Sequence, residues 1–192
     1  MLDESGNSLL HWACFSGYYD IVVYLLEQGW YWRYDELRIS TNPLQTGIDT
    51  EIANSTEHQT AIHWAVAGGR IRIVHLLHTH SPRLIHHVDA RGYGLVHVAV
   101  QNCHLVVAHY LIVHGLSPHH RDNDGTIFTH NDLCQLTEIQ QLQGNTPLHW
   151  ACIKNDVNML RYLISAGADV CTQGSKGMTS LHWTAALGTF RF

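Results

Sequence analysis

Basic charge is scarce in this 192-residue chain: 11 lysines and arginines face 16 aspartates and glutamates, a net charge of −5 with histidine neutral. Without a basic patch the electrostatic footprint of nucleic-acid binding is missing, and no nucleic-acid partner is expected. Long apolar runs are lacking too. The most apolar stretch, 105–113, is about half the length a membrane-crossing helix needs and carries His109. Direct membrane insertion by this chain is therefore not expected. The opening "MLDESGNS" has no basic, apolar, small-residue order, which argues against a signal peptide. The five cysteines, Cys14, Cys103, Cys134, Cys152 and Cys171, form no CxxC pair and are odd in number. Reduced thiols and a cytoplasmic location follow. A Gly-rich phosphate loop and a G-x-S-x-G elbow are absent as well, so no nucleotide cofactor or serine nucleophile is indicated.

What the chain has in abundance is histidine, 17 in all. The pairs at 78–80, 86–87 and 119–120 match no closed zinc-ligand spacing, and Cys134 stands alone; no metal site is expected. Asp122-Asn123-Asp124-Gly125 begins like a calcium loop, but Leu133 occupies the twelfth position, where a glutamate is needed, and the run is better read as a turn that opens a further structural unit. A histidine-rich pH or metal sensor would be dismissed by stability and partner affinity that stay unchanged between pH 7.5 and 5.5, with or without zinc.

Most histidines have a simpler origin, because the chain repeats itself. "GNSLLHWACFSG" at 6–17 recurs as "HQTAIHWAVAGG" at 58–69, "GYGLVHVAVQNC" at 92–103, "GNTPLHWACIKN" at 144–155 and "GMTSLHWTAALG" at 177–188. The aligned histidines are His11, His63, His97, His149 and His182, spaced 52, 34, 52 and 33 residues apart. A unit of about 33 residues therefore runs through the chain, with two extra segments of about 19. Downstream of the first four histidines, apolar residues at i, i+3, i+4 predict a second helix with one buried face, closed by Gly29, Gly115 and Gly167 in three units.

A 33-residue period with G-x-T-P-L-H-x-A, two helices and Gly167-Ala168-Asp169 closely resembles the ankyrin repeat. The fold class implied is an all-α ankyrin-repeat solenoid of helix-turn-helix units with projecting hairpin loops. The units are expected at about 3–32, 56–88, 89–121, 142–173 and a truncated 174–192, with insertions at about 33–55 and 122–141. Each insertion is either a longer connection on the hairpin side or a degenerate unit lacking one helix. Departures from the pattern are scattered: His58 for glycine, Gly94 for threonine, Cys103 and Asn155 for the glycine between helices, Thr184 for alanine.

The resemblance implies structural duties for the motif. His11, His63, His97, His149 and His182 brace the start of the first helix, the hydroxyl of Ser8, Thr60, Thr146 or Thr179 capping free N–H groups. Trp12, Trp64, Trp150 and Trp183 are expected to fill the space between helices. Cys14 and Cys152 are expected as small buried groups, not nucleophiles. No catalytic residue is expected. Residues free to meet a protein or extended peptide on the solenoid's inner face are Phe15, Gln101, Asn102 and Lys154 on first helices and Arg91 and Tyr93 in a hairpin. Trp30 and Trp32, in "WYWRYDEL", either anchor a partner or cover the end of the first unit.

Tryptophan after the motif histidine in four of five units, with "GYGLVHVAVQNCHLVVAHYL" and "DNDG", is similar to the N-terminal ankyrin region of DHHC-type protein palmitoyltransferases. That resemblance implies a substrate-recruiting role on the cytosolic face of the Golgi or another endomembrane, ahead of a membrane domain that transfers the acyl group. This chain contains neither a DHHC run nor a membrane span, so alone it does not perform that reaction. Ending ten residues after His182, it is expected to be a fragment. The alternative is a stand-alone ankyrin adaptor with no link to an enzyme.

Overall fold

The computed structural model describes residues 2–28, 50–122, 144–174 and 177–187. Among these residues every regular element is helical: α1 (Leu9–Ser16), α2 (Tyr19–Gln28), α3 (Ala61–Ala67), α4 (Ile71–His80), a 3-10 turn (Pro82–His86), α5 (Leu95–Gln101), α6 (Leu105–Val113), α7 (Pro147–Ile153), α8 (Val157–Ser165) and α9 (Ser180–Ala186). Extended pairing among them takes the form of isolated bridges, such as Leu2 with Ser8, Ala53 with Thr60 and Gln173 with Thr179, which close the hairpin before a first helix. The all-α repeat fold expected from the sequence is the one observed. Gly29, Trp30, Trp32 and most of both insertions lie outside the described residues.

Helices of 7–10 residues are marginal alone, so packing must hold them. The first helices are buried along most of their length: α3 contributes Ala61, Ile62, His63, Ala65 and Val66, and α7 every residue from Pro147 to Cys152. The second helices bury one stripe each, such as Ile73, Val74 and Leu77 in α4 and Met159 and Leu163 in α8. The chain divides into two compact blocks, Met1–Ala90 and Arg91–Phe192. The first contains α1–α4 and the 3-10 turn; the second contains α5–α9.

Two places in each repeat require a left-handed backbone. One is the hairpin position five residues before the motif histidine: Gly6, Gly92, Gly144 and Gly177 adopt φ of 77°, 75°, 84° and 70°, and His58 takes 53°. The other is the turn between helices, where Gly17 and Gly69 adopt 88° and 68° while Cys103 and Asn155 adopt 58° and 54°. The three departures from glycine thus keep glycine's conformation, at the steric cost a Cβ carries there.

Asp122, at the start of the second expected insertion and in the run read as a unit-opening turn, opens the fourth hairpin. Its carbonyl accepts the Gly144 N–H at 3.1 Å, its N–H donates to the Asn145 carbonyl, and its carboxylate accepts both N–H groups at 3.2 Å. Asp3 makes the corresponding bonds with Gly6 and Asn7 in the first hairpin. Segment 123–143 therefore enters inside a hairpin turn. The first insertion precedes an intact hairpin that begins at Asn54, whose side-chain oxygen accepts from Glu57 and Gln59.

Candidate docking surface

The motif histidines hold the first helices rigidly. In α1, His11 Nδ1 accepts the Ser8 N–H at 3.1 Å and lies 2.8 Å from Ser8 Oγ. Thr60 with His63, Thr146 with His149 and Thr179 with His182 repeat this box. Because Nδ1 accepts a backbone N–H, the ring proton sits on Nε2. From there it donates to the hairpin carbonyl of the next repeat in the same block: His11 to Gln59 at 3.0 Å, His97 to Asn145 at 3.2 Å and His149 to Met178 at 3.3 Å. Burial lowers the pKa of His11 and His149, because the charged imidazole would lose its hydration there. His97 falls furthest, to about 3, through burial and the neighbouring His120. With Gly94 as its N-cap there is no hydroxyl, and His97 Nδ1 is buried without a hydrogen-bond partner among the described residues.

The tryptophans divide into two kinds. Trp150 and Trp183 are buried, as expected of core fillers. Trp12 is corrected: it is 49% exposed, because its indole turns toward the hairpin and donates to Asp3 Oδ2 at 3.1 Å. Trp150 makes the same link, Nε1 to Asp122 Oδ2 at 3.0 Å. Where the hairpin opens with Asn54 or Gly174 instead of aspartate, Trp64 and Trp183 keep a buried indole N–H with no partner among the described residues. The signal for this pairing was legible, an aspartate opening the hairpin ahead of His-Trp, but only the fold shows that Asp122 acts across the insertion.

In the first block, Trp64 gathers an aromatic cluster on α1 and α3. The Trp12 and Phe15 rings meet it edge-on at 5.1 and 5.9 Å, and His11 at 5.8 Å. Phe15 is 44% exposed. Arg70, which the sequence did not single out, donates Nε to the Phe15 carbonyl at 3.0 Å. Beside it Gly68 is obligatory, since a Cβ there would run into the same carbonyl.

In the second block, Asn102 and Lys154 are exposed at the ends of α5 and α7, and Gln101 and Arg91 are half-buried. Asn102 Nδ2 donates to the Val98 carbonyl at 2.9 Å, leaving its oxygen outward. Tyr93, expected on the binding face, is corrected: it is buried, its ring edge-on to Trp150 at 5.8 Å and tilted against His97. Arg121 ties two hairpins of this block through bonds to the Gly144 and Gln173 carbonyls.

Chemistry is poorly served by these groups. Burial pushes the Cys14 thiol up strongly and Cys152 to about 12, so neither forms a thiolate near neutrality. No cluster of three or more metal-ligating side chains occurs among the described residues, nor a helix long and apolar enough to cross a membrane.

Comparison with known proteins agrees with this architecture. The ankyrin repeat model matches residues 5–31 and 143–175, and the model for three-copy ankyrin repeats matches 39–122. The chain is 29% identical to Palmitoyltransferase ZDHHC13 of Homo sapiens over 93% of its own length and 28% of the relative's. It is 23% identical to Palmitoyltransferase AKR1 of Lachancea kluyveri, covering 97% of itself and 21% of that protein. A further relative is the Target of rapamycin complex 2 subunit AVO2 of Saccharomyces cerevisiae, 26% identical over 85% of the chain and 30% of the relative. The chain spans less than a third of the length of these relatives. With its repeats matched across most of the sequence and their hairpin, capping box and helix pair in place, the chain belongs to the ankyrin-repeat family.

Proposed function

We propose that this chain is a docking module that recruits a protein, through an extended peptide, at the ends of its first helices and their hairpins. In its natural polypeptide it serves as the substrate-recruiting part of a membrane protein S-acyltransferase, on the cytosolic face of an endomembrane. One observation supports the docking role above others. Four and five residues after the motif histidines of the first, third and fourth repeats, exposed or half-buried side chains change from repeat to repeat while the turn that follows keeps its left-handed backbone. Phe15 and Ser16 occupy these places in α1, Gln101 and Asn102 in the third repeat, Ile153 and Lys154 in the fourth. Side chains held on a rigid frame and free to vary suit recognition.

The acyltransferase role draws on the similarity to ZDHHC13 and AKR1; the similarity to AVO2 favours the alternative, an adaptor without an enzyme. Photo-crosslinking tests the docking role. A benzophenone amino acid at Phe15, Asn102 or Lys154 should give discrete protein adducts in cells, whereas one at Asp20, on the outer helix, should not. Equal labelling from all four sites would dismiss it. Sequencing the natural transcript past the Phe192 codon separates the two larger roles, through hydrophobic spans with a Cys/His-rich segment or a stop.

A further inference from the structure

The aromatic cluster of the first block has a charge at each end. Asp3 Oδ2 holds the Trp12 indole N–H at 3.1 Å; the Trp12, Trp64 and Phe15 rings follow at centroid spacings of 5.1 and 5.9 Å; Arg70 closes the series on the Phe15 carbonyl at 3.0 Å. It is a strip running from carboxylate through three rings to a guanidinium. Trp12 and Phe15, three residues apart on α1, are about half exposed.

The charge of this block says what sits there. Its described residues include seven carboxylates against three arginines. Glu4 stands exposed in the hairpin next to Asp3. An indole whose N–H is given to a carboxylate presents a more electron-rich face, and tryptophan is the ring cations favour most. The chain already uses such a contact, with Arg72 Cζ 4.5 Å over the Tyr19 ring. At the other end the Arg70 guanidinium repels a second cation.

We propose that this strip seats an extended peptide with a lysine or arginine at the Asp3–Glu4 end, an apolar side chain over the rings, and an uncharged or acidic residue at the Arg70 end. The proposal rests on the docking role and narrows its ligand to one polarity. Exposed cation–π contacts contribute about 2–5-fold each in affinity, and the acidic hairpin adds a salt-sensitive share.

Indole N–H resonances of the 15N-labelled chain read this directly, with Trp12 and Trp64 assigned from Trp12→Phe and Trp64→Phe. The probes are three capped nonapeptides, Gly-Ser-Lys-Gly-Pro-Val-Gly-Asp-Gly and its versions with glutamine or aspartate in place of lysine. The lysine peptide is expected to shift both indoles, to bind at least 5-fold more tightly than the glutamine peptide, and to lose most of that advantage in 0.5 M NaCl. Glu4→Lys, an exposed hairpin change that leaves the core alone, should turn the preference toward the aspartate peptide. Equal binding of lysine and glutamine peptides, an unchanged preference in Glu4→Lys, or no indole shift with any peptide overturns the proposal. If adducts from Phe15, Asn102 and Lys154 persist in any of those cases, docking stands and only the polarity is wrong; if they too are lost, docking itself fails.

Discussion

At the residue scale, the places where the repeat departs from its own pattern are where free energy is left unclaimed. Gly94 replaces the serine or threonine that elsewhere completes the capping box, and His97 Nδ1 is buried with no hydrogen-bond partner among the described residues. Gly94→Thr keeps a backbone already at φ −79° and ψ 168°, close to the values at Thr60 and Thr146. It should raise stability by about 1 kcal/mol, chiefly because the new hydroxyl gives the buried His97 Nδ1 a partner, glycine itself being within a few tenths of threonine as an N-cap; the gain is seen as a higher urea midpoint with unchanged slope. Cys103 makes a different departure, holding φ at 58° with an exposed side chain that contributes little packing. Cys103→Gly relieves left-handed strain of about 1–2 kcal/mol and returns about 0.5–1 to the unfolded chain's freedom. The net gain expected is about 0.5–1 kcal/mol by thermal unfolding. The same residues show what sequence could and could not give. The T-x-x-H pairs announced their caps through spacing alone. Tyr93 read as exposed because hairpin positions usually are, but a phenol ring beside Trp150 is worth more buried.

At the element scale, α1 and α7 are each pinned by a neutral histidine whose two nitrogens are both committed, one to its own cap and one to the next hairpin. Acid should therefore weaken the stack. An unfolded histidine takes a proton near pH 6.5, while the folded pKa values of His11, His97 and His149 are depressed. The unfolded state then binds more protons below pH 6.5, so this stability is complete above that value and is lost as pH falls toward the folded pKa. For His97, held near 3 with His120 facing it, the loss is about 1.4 kcal/mol at pH 5.5. His11, with Asp3 nearby favouring the proton, and His149, with Arg121 opposing it, add smaller amounts of the same sign. Urea titrations at pH 7.5 and 5.5 should show the midpoint falling, and His97→Gln, though destabilising in itself, should flatten the dependence. Such acid sensitivity belongs to the capping architecture and does not require a sensor. The helix pairs were legible because both periodicities, 33 residues along the chain and 3.6 along each helix, rest on burial. The link from Trp150 to Asp122 was not, because it joins residues 28 apart across an insertion.

At the scale of the whole molecule, the two long spacings between motif histidines look alike in sequence and arise differently. Both are 52 residues, yet one insertion precedes a complete hairpin and the other splits one. Sequence period fixes how many residues are extra but not where the backbone leaves the repeat, since that depends on which polar group closes the turn. The Asp122 carboxylate closes it by accepting the Gly144 and Asn145 N–H groups, as Asp3 does for Asn7 after only Glu4, Ser5 and Gly6. Replacing 123–143 by Glu-Ser should therefore regenerate the first block's hairpin, Asp-Glu-Ser-Gly-Asn, in the second. Closing a turn with two residues rather than 21 lowers the loop entropy cost by about 2 kcal/mol. The shortened chain should keep its helical circular dichroism and unfold at a higher urea concentration by that margin. A loss of stability instead would mean that 123–143 packs on the repeats. The Phe15, Asn102 and Lys154 crosslinks, measured on the same variant, then separate the frame from the insertion: adducts that survive belong to the first-helix ends, and adducts that vanish place part of the partner's contact on the excised segment.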